Sequence, residues 1–396
     1  MKALFWISVG MIAYTYAGYP LVLAFMASLR QVWKDLSFAI RRNERRQRPL
    51  ADFAPHVSLV FSAYNEEAVI AEKMRNCAGL EYPKDRLEIL VGCDGCSDRT
   101  ADLARAANLP NARIFEFSDR AGKPAMLNRL AQEAKGEILV LTDANTMLGP
   151  DTVRMLVRHF SNPQIGCVSG ELRLQTPDGT PAGEGLYWRY ETFLKFLESR
   201  LNMLLGANGA VYAIRRSLFA AIPPQGIVDD FLVAMRIRET GHRLVYDTEA
   251  VGYEQVAPSF RQEFSRRVRI GAGNYHAIRY TLPLLMPSAG WIAFSFWSHK
   301  IMRWFVPFAL ITAFLSAVGL GWRDPWYGAI AVGAAFLAFL AFVGYRLELR
   351  NVRRAVFSLP YYFMSMNLAL LLGFVRFLNG RQGLTWQRTA RENRHP

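Results

Sequence analysis

Cysteine is scarce in this chain: the four it has, Cys77, Cys93, Cys96 and Cys167, all fall within one stretch of mixed composition. That excludes a secreted scaffold held by disulfides. Cys93 and Cys96 form a single C-x-x-C with no second pair and no histidine beside it. This is too little for a zinc site, and the intervening Asp94 and Gly95 suit a tight turn. The G-x-G-x-x-G dinucleotide fingerprint is missing from the first strand-to-helix turn, which argues against hydride transfer. Acid is the other shortage, with 33 Asp and Glu against 47 Lys and Arg, a net charge of +14 over 396 residues. Such a basic chain raises nucleic acid as a partner. Zinc-finger, homeodomain and RNA-binding signatures are all missing, however, and the positive charge gathers beside apolar runs, so no nucleic-acid partner is expected.

Apolar residues are plentiful, at 52% of the chain, and unevenly spread. Runs at 3–27, 301–320, 328–345 and 355–378 each approach the roughly 20 residues that cross a bilayer as a helix. The first is longer than the apolar core of a signal peptide, about 7–15 residues, and lacks an A-x-A site, so an uncleaved helix is expected over 1–29. A basic linker follows at 30–50, with Arg30, Lys34, Arg41, Arg42, Arg45, Arg46 and Arg48 against Asp35 and Glu44. Positive flanks face the cytoplasm, so the domain behind it, 51–280, is expected there, with contact to anionic lipid as a secondary role for the linker. Residues 281–300 read as an interfacial amphipathic segment, 301–380 as about three transmembrane helices of a plasma-membrane protein, and 381–396 as a basic tail. With the domain inside, three later crossings put the tail outside, although 346–354 and the tail (Arg381, Arg388, Arg391, Arg394) are both basic. Either 281–298 also crosses, or the last segment re-enters near Pro360, or the charge rule fails. The side of the tail stays open.

Within the domain one pattern repeats. Residues 56–62 (HVSLVFS) alternate apolar and β-branched positions, stop at Ala63, Tyr64, Asn65, Glu66 and Glu67, and pass into a helical run at 68–80. Strand 87–92 ends in Cys93, Asp94, Gly95, Cys96, Ser97 and Asp98 before a helix at 99–107, and strand 112–117 leads through Gly122 and Lys123 to a helix at 124–134. The fourth strand, 138–141, runs into Thr142, Asp143, Ala144 and Asn145. Strand, polar tip and helix make a βα unit, and four in series predict an α/β, three-layer domain with a mainly parallel sheet. Their tips, carrying Asn65, Asp94, Asp98, Lys123, Asp143 and Asn145, must then line one edge, where ligands of open α/β sheets bind. That placement indicates a site without identifying its chemistry.

Asp229 and Asp230 sit at the start of a helical run in GIVDDFLVAMRI. They are either partners of the helix dipole or, beside a ligand crevice, an acid pair with work for a base. The small residues of 206–216 (GANGAVYAIRR) let backbone approach a ligand, or mark a strand with a close crossover. Arg266, Arg267 and Arg269 are solvated, snorkel to headgroups, or pair bidentately with phosphate.

Taken together, AYNEE (63–67), DGCSDRT (94–100), GKPAMLN (122–128), TDAN (142–145), GANGAVYAIRR (206–216), VDDF (228–231) and RRVRIGAGN (266–274) resemble the membrane-integrated, inverting family 2 glycosyltransferases, the group that includes cellulose, hyaluronan and poly-N-acetylglucosamine synthases. The resemblance implies a GT-A-like fold and a nucleotide-sugar donor, a UDP-sugar being expected. Ala63, Tyr64, Asn65, Glu66 and Asp94 would contact the nucleoside, and Lys123 the diphosphate. Asp143 and Asn145 occupy the D-x-D positions that hold a divalent cation, Mg²⁺ or Mn²⁺, on the diphosphate. Asn145 is an amide where many members carry an acid. Asp230 corresponds to the general base of the family's E-D pair, and Asp229 replaces its glutamate. Arg266 and Arg269 fall where the family has Q-x-x-R-W, and Arg269 would offset charge on the departing diphosphate. Here Arg266 replaces the glutamine and Ile270 the tryptophan that stacks on the acceptor sugar, which leaves Tyr187, Trp188 or Tyr275 as alternative platforms. The expected activity is hexosyl transfer to a growing polysaccharide or a lipid-linked saccharide at the bilayer. Single addition to a lipid carrier is the alternative within the class, and a non-catalytic nucleotide-sensing membrane protein the alternative outside it.

Overall fold

An unbroken helix opens the chain: α1 (Lys2–Ala13), one π-helical turn at Tyr14–Gly18, then α2 (Tyr19–Arg41). The computed structural model describes residues 1–41, 53–176, 186–256, 260–350, 352 and 354–380. Arg42, Glu44, Arg45, Arg46, Arg48 and the tail from Arg381, with Trp386 and Arg388, therefore lie outside the described residues. The chain divides into two units. Leu23–Pro258 with Arg279–Ser295 make an α/β unit, and Met1–Val22, Ser259–Ile278 and Phe296–Gln382 make a helical one.

The α/β unit is built as the repeating pattern predicts. Strands β1 (Val57–Ala63), β2 (Leu87–Asp94), β3 (Ala112–Phe117) and β4 (Ile138–Thr142) alternate with helices α3 (Ile70–Ala78), α4 (Thr100–Ala106) and α5 (Lys123–Glu133). There follow β5 (Met147–Leu148), α6 (Thr152–Val157), β6 (Ile165–Gln175), α7 (Leu186–Leu201), β7 (Val211–Arg215), α8 (Asp229–Glu239) and β8 (Arg243–Gln255). Among the described residues, eight strands form one sheet in the order β3-β2-β1-β4-β7-β6-β8-β5. The half made of β3, β2, β1 and β4 is parallel, with Val57 level with both Leu87 and Ile138. β7 enters antiparallel between β4 and β6, and β6 runs parallel to β8. Strand β1 is buried at every position, which is why it reads as a near-continuous apolar run.

Side chains alternate between the two faces. Leu59, Phe61, Ile89 and Val140 pack with Ile70 and Met74 of α3 and with Leu156 of α6 on one side. Val60, Leu90 and Leu139 pack with Met126 and Leu130 of α5 and with Val233 and Ile237 of α8 on the other. Each such side chain contributes about 1.5–3 kcal/mol of burial. Two helical layers around a sheet aim every parallel strand's carboxyl end at the same edge.

The helical unit carries α9 (Phe260–Ala277). Next, α10 (Trp291–Ser295), the last helical piece of the α/β unit, runs on as one helix with a π-helical stretch at Phe296–Ile301 and α11 (Met302–Gly321), and the helical unit continues with α12 (Pro325–Glu348) and α13 (Ala355–Leu378). Among the described residues, four helices are long and apolar enough to cross a membrane: Lys2–Ile40, Trp291–Gly321, Pro325–Glu348 and Val356–Leu378. Each of the four apolar runs of the sequence falls in one of them. Residues 282–289 are short 3₁₀ turns, and the helix beginning at Trp291 continues without a break into the second run. Pro360 lies inside α13 and does not interrupt it.

Candidate active site

Two helix starts and one strand end supply a charged cluster. Gly122 takes φ +89°, a left-handed turn that seats Lys123 as the first residue of α5. Asp143 follows the last residue of β4, and Asp229 and Asp230 open α8. Lys123 Nζ donates to Asp143 Oδ1 at 2.8 Å and lies 3.3 Å from Asp229 Oδ2, an ion pair without hydrogen-bond geometry. Three elements far apart in sequence thus share one ammonium.

Asp230 is held differently. Its Oδ2 accepts from the Gly209 backbone N–H and its Oδ1 from that of Phe231, both at 2.8 Å. A Cβ at Gly209 would come 3.1 Å from Asp230 Oδ2, so the small residue is what lets the backbone reach the carboxylate. The strand reading of 206–216 holds, with Val211–Arg215 forming β7, and Gly209 just before it approaches the Asp230 carboxylate.

The carboxyl of Asp229 is raised to about 6, chiefly by burial, with Lys123 opposing the rise and Asp230 and Asp143 adding to it. Burial also raises Asp230, against Lys123 and the N–H groups of Phe231 and Gly209. For Lys123, burial disfavours the charge, yet Asp143, Asp229 and Asp230 outweigh it and raise the ammonium above the ordinary lysine value. At neutral pH the lysine is therefore charged.

The other strand tips form the wall beside this cluster. Asn65, at φ +51°, accepts from the Ser97 N–H at 2.9 Å, and the Glu66 N–H donates to Thr100 Oγ1 at 2.7 Å, joining the β1 and β2 tips. Asp98 Oδ1 accepts from the Thr100 N–H. Asp94 has both oxygens engaged, accepting from Ala121 N–H at 2.7 Å and Gly122 N–H at 2.8 Å. Its carboxylate therefore pins the loop that presents Lys123. Ala63 is buried, and the ring of Tyr64 lies under the Arg120 guanidinium at 3.7 Å. Asn145 donates from its amide nitrogen to Glu254 Oε1 at 2.7 Å, which leaves its carbonyl oxygen for another partner.

Sequence reasoning missed three contributors. Lys73 is fully buried on the apolar face of α3 and donates to Thr142 Oγ1 at 3.4 Å and to the Thr146 carbonyl, bracketing Asp143 and Asn145. Burial lowers its pKa, opposed by Cys77 and Asp143. A lysine among Ile70, Met74 and Cys77 was the visible signal. Tyr212 of β7 is buried with its hydroxyl unpartnered among the described residues, and Asp229 and Asp230 act on it electrostatically. Glu254, from the far end of β8, carried no local signal.

Arg266 and Arg269 belong to the helical unit, on α9, and not to the unit that holds Lys123 and the acids. Arg266 pairs with Glu263 at 3.0 Å, and Arg267 pairs with Glu263 at 2.7 Å and donates to Tyr362. Tyr275 donates to the Trp304 carbonyl and packs on Phe374, so its ring is part of the helical core. Tyr187 and Trp188 meet edge to face at 6.5 Å. Among the described residues, no three of His, Cys, Asp and Glu gather closely enough to hold a metal by themselves.

The family model described as "Glycosyltransferase like family 2" matches residues 54–273. The chain is 26% identical over 254 residues to the probable glycosyltransferase YdaM of Bacillus subtilis, covering 57% of this chain and 56% of that protein. It is 25% identical over 232 residues to the poly-beta-1,6-N-acetyl-D-glucosamine synthase of Staphylococcus aureus, covering 56% and 55%. The match thus spans about half the length of these curated relatives. Among solved structures, the mannosyltransferase PcManGT from Pyrobaculum calidifontis, in complex with GDP-Man and Mn2+, superposes with a TM-score of 0.71 at 22% identity, covering 96% of this chain and all of that one. That likeness establishes a shared GT-A-type fold.

Proposed function

The chain belongs to glycosyltransferase family 2, and from that premise we propose that it transfers a hexosyl group from a nucleoside-diphosphate sugar to a saccharide acceptor with inversion. The observation that carries the reading is the convergence of Asp143, Asp229 and Asp230 on and around Lys123 at the sheet's carboxyl edge. In this reading the Asn65, Glu66 and Tyr64 wall takes the nucleoside, and Lys123 exchanges its contact with Asp143 for the diphosphate. Asp230, aimed by Gly209 and Phe231, accepts the proton of the acceptor hydroxyl as that oxygen attacks the anomeric carbon. The raised pKa of Asp230 suits a base that must hold the proton it takes.

A divalent cation fits the donor set. Asp143 and the amide oxygen of Asn145 are hard oxygen ligands, and since no three acids among the described residues are arranged to hold a metal, the cation would depend on phosphate oxygens to complete its shell. When bound it would neutralise charge on the departing diphosphate. On the strength of the motif resemblance alone, Arg269, with Arg266, is proposed to offset charge on that diphosphate.

The four long apolar helices support attachment to a bilayer, and the basic residues Arg30 and Lys34 after the first apolar run support a cytoplasmic α/β domain at the plasma membrane. The acceptor is proposed to be a growing polysaccharide or a lipid-linked saccharide. Ile270, in the place of a stacking tryptophan, favours a second reading, a single addition to a lipid carrier. The test is to incubate the full chain in membranes with each common UDP- and GDP-sugar and Mn²⁺ or Mg²⁺, then measure nucleotide release and product length. A product ladder supports polymer synthesis and a single lipid-soluble product supports one addition. No sugar-dependent release from any donor refutes the transferase.

A further inference from the structure

The opening helix is too long for a bilayer alone. At 1.5 Å per residue, the helical stretch from residue 2 to residue 41 extends about 60 Å, about twice the hydrocarbon thickness. The apolar run ends at residue 27, and the pattern then changes. Leu29, Val32, Trp33, Leu36 and Ile40 stay exposed at helical spacing, forming a stripe along α2. Arg30 and Lys34 stand beside that stripe, one turn apart.

These two cations meet others from distant parts of the α/β unit. Arg30 donates to the Arg200 carbonyl near the end of α7, and the Arg200 guanidinium donates back to Gln31 Oε1 at 2.7 Å. At the start of β8, Arg243 donates to Asn202 Oδ1 at 3.3 Å, an oxygen it shares with Arg238 at 3.0 Å. The charges that act on Lys34 are those of Arg30, Arg200 and Arg243. Among the described residues none of these four side chains forms an ion pair with a carboxylate, and Asp35 on the same helix accepts from Gln31 instead. Elsewhere on the same unit exposed arginines do find acids, as Arg105 finds Glu116 at 2.6 Å and Arg113 finds Glu133 at 2.9 Å. Four like charges drawn together with no carboxylate paired to any of them repel one another, and an anion seated among them relieves that repulsion. Phe193 and Phe196 of α7, both exposed, add apolar surface next to Arg200, whose guanidinium lies over the Phe196 ring.

We propose that Arg30, Lys34, Arg200 and Arg243 form a site for the phosphodiester group of an anionic membrane lipid, with the exposed stripe of α2 and Phe193 and Phe196 lying against its apolar part. Guanidinium forks match phosphate oxygens bidentately, and an apolar stripe beside cations is the composition of a helix lying at a headgroup layer. The site holds the α/β unit at the bilayer surface. It does not depend on the catalytic reading, because none of its residues belongs to the Lys123 cluster.

Native mass spectrometry of the purified full chain, titrated with phosphatidylglycerol, phosphatidylcholine or inorganic phosphate, tests it. The chain should retain phosphatidylglycerol over phosphatidylcholine, and millimolar inorganic phosphate should not displace it. The double variant Arg200→Gln, Arg243→Gln should weaken retention roughly 25-fold, about fivefold per charge removed, while Arg200→Lys with Arg243→Lys keeps most of it. Where the double Gln variant is unstable, Lys34→Gln at an exposed position carries the test, with about a fivefold loss. Equal retention by wild type and Gln variants overturns the site. Displacement of the lipid by inorganic phosphate overturns the lipid as its occupant.

Discussion

Lys123 and Asp143, twenty residues apart, meet as a 2.8 Å ion pair at the carboxyl edge of the sheet. The pair joins the first residue of α5 to the end of β4, and Asp229 closes it from a third element. On the proposed function, this ammonium seated among acids is the counter-charge that the donor's diphosphate meets.

Lys123→Ala should raise the dissociation constant of a nucleoside diphosphate about 10- to 100-fold, the worth of a charge-assisted hydrogen bond, while leaving nucleoside binding nearly unchanged. Calorimetry with UDP and uridine separates the two. Equal weakening of both would place Lys123 in the scaffold instead of at the phosphates.

Asp230→Asn preserves the shape of the side chain and its acceptor toward Gly209 but removes a base. Turnover should fall by about 10²–10⁴-fold, with nucleotide affinity within about twofold of wild type. Ordinary turnover in this variant, measured by nucleotide release at saturating donor, would remove Asp230 from the role.

Asp229 titrates at about 6 in the folded chain against 3.8 for an unperturbed carboxyl. Between those values the folded state binds more protons than the unfolded state, so stability from this group is highest below about pH 4 and declines as pH rises through about 6. Asp229→Asn should abolish that decline. Melting temperature followed from pH 4 to 7 should therefore show the variant gaining on wild type as pH rises, above whatever constant offset Lys123 imposes on losing a partner. A difference that stays flat with pH would count against it.

Lys73→Met keeps the length of the buried side chain and removes its hydrogen bonds to Thr142 and the Thr146 carbonyl. The loop carrying Asp143 and Asn145 should loosen, and the Mn²⁺ concentration for half-maximal nucleotide release should rise several-fold, with less change in the maximal rate. Protein stability alone would not give that split, so an unchanged metal requirement refutes a positioning role for Lys73.

Most of the fold was legible because its signals are local. The four βα units, the start of α8 at Asp229 and the four apolar helices each follow from periodicity, turn residues and run length within a window of about 20 residues. Strand ends were legible to within about two residues, because the polar tip that stops a strand is also what faces the crevice. The antiparallel insertion of β7 between β4 and β6 was not, since nothing inside 206–216 says which edge it will pair with. Lys73 stood out as a lysine on an apolar helix face, but its partners on the Asp143 loop, like the Asn145–Glu254 contact, were invisible for a similar reason, each joining residues that only the sheet order brings together.

Residue order alone was enough to place Lys123, Asp143 and Asn145 along one edge, because parallel strands with right-handed crossovers leave their carboxyl ends no other side to face, whereas Asp230 joined them only through the resemblance. It also marked the family, since the motifs occur in order and belong to chemistry-bearing loops. Which oxygen binds which proton was decided in three dimensions. Asp94 spends its carboxylate on the Ala121–Gly122 backbone, Asp230 is aimed by Gly209, and Asp229 is buried far enough to raise its pKa, because desolvation and hydrogen-bond geometry depend on neighbours that lie tens of residues away in the chain.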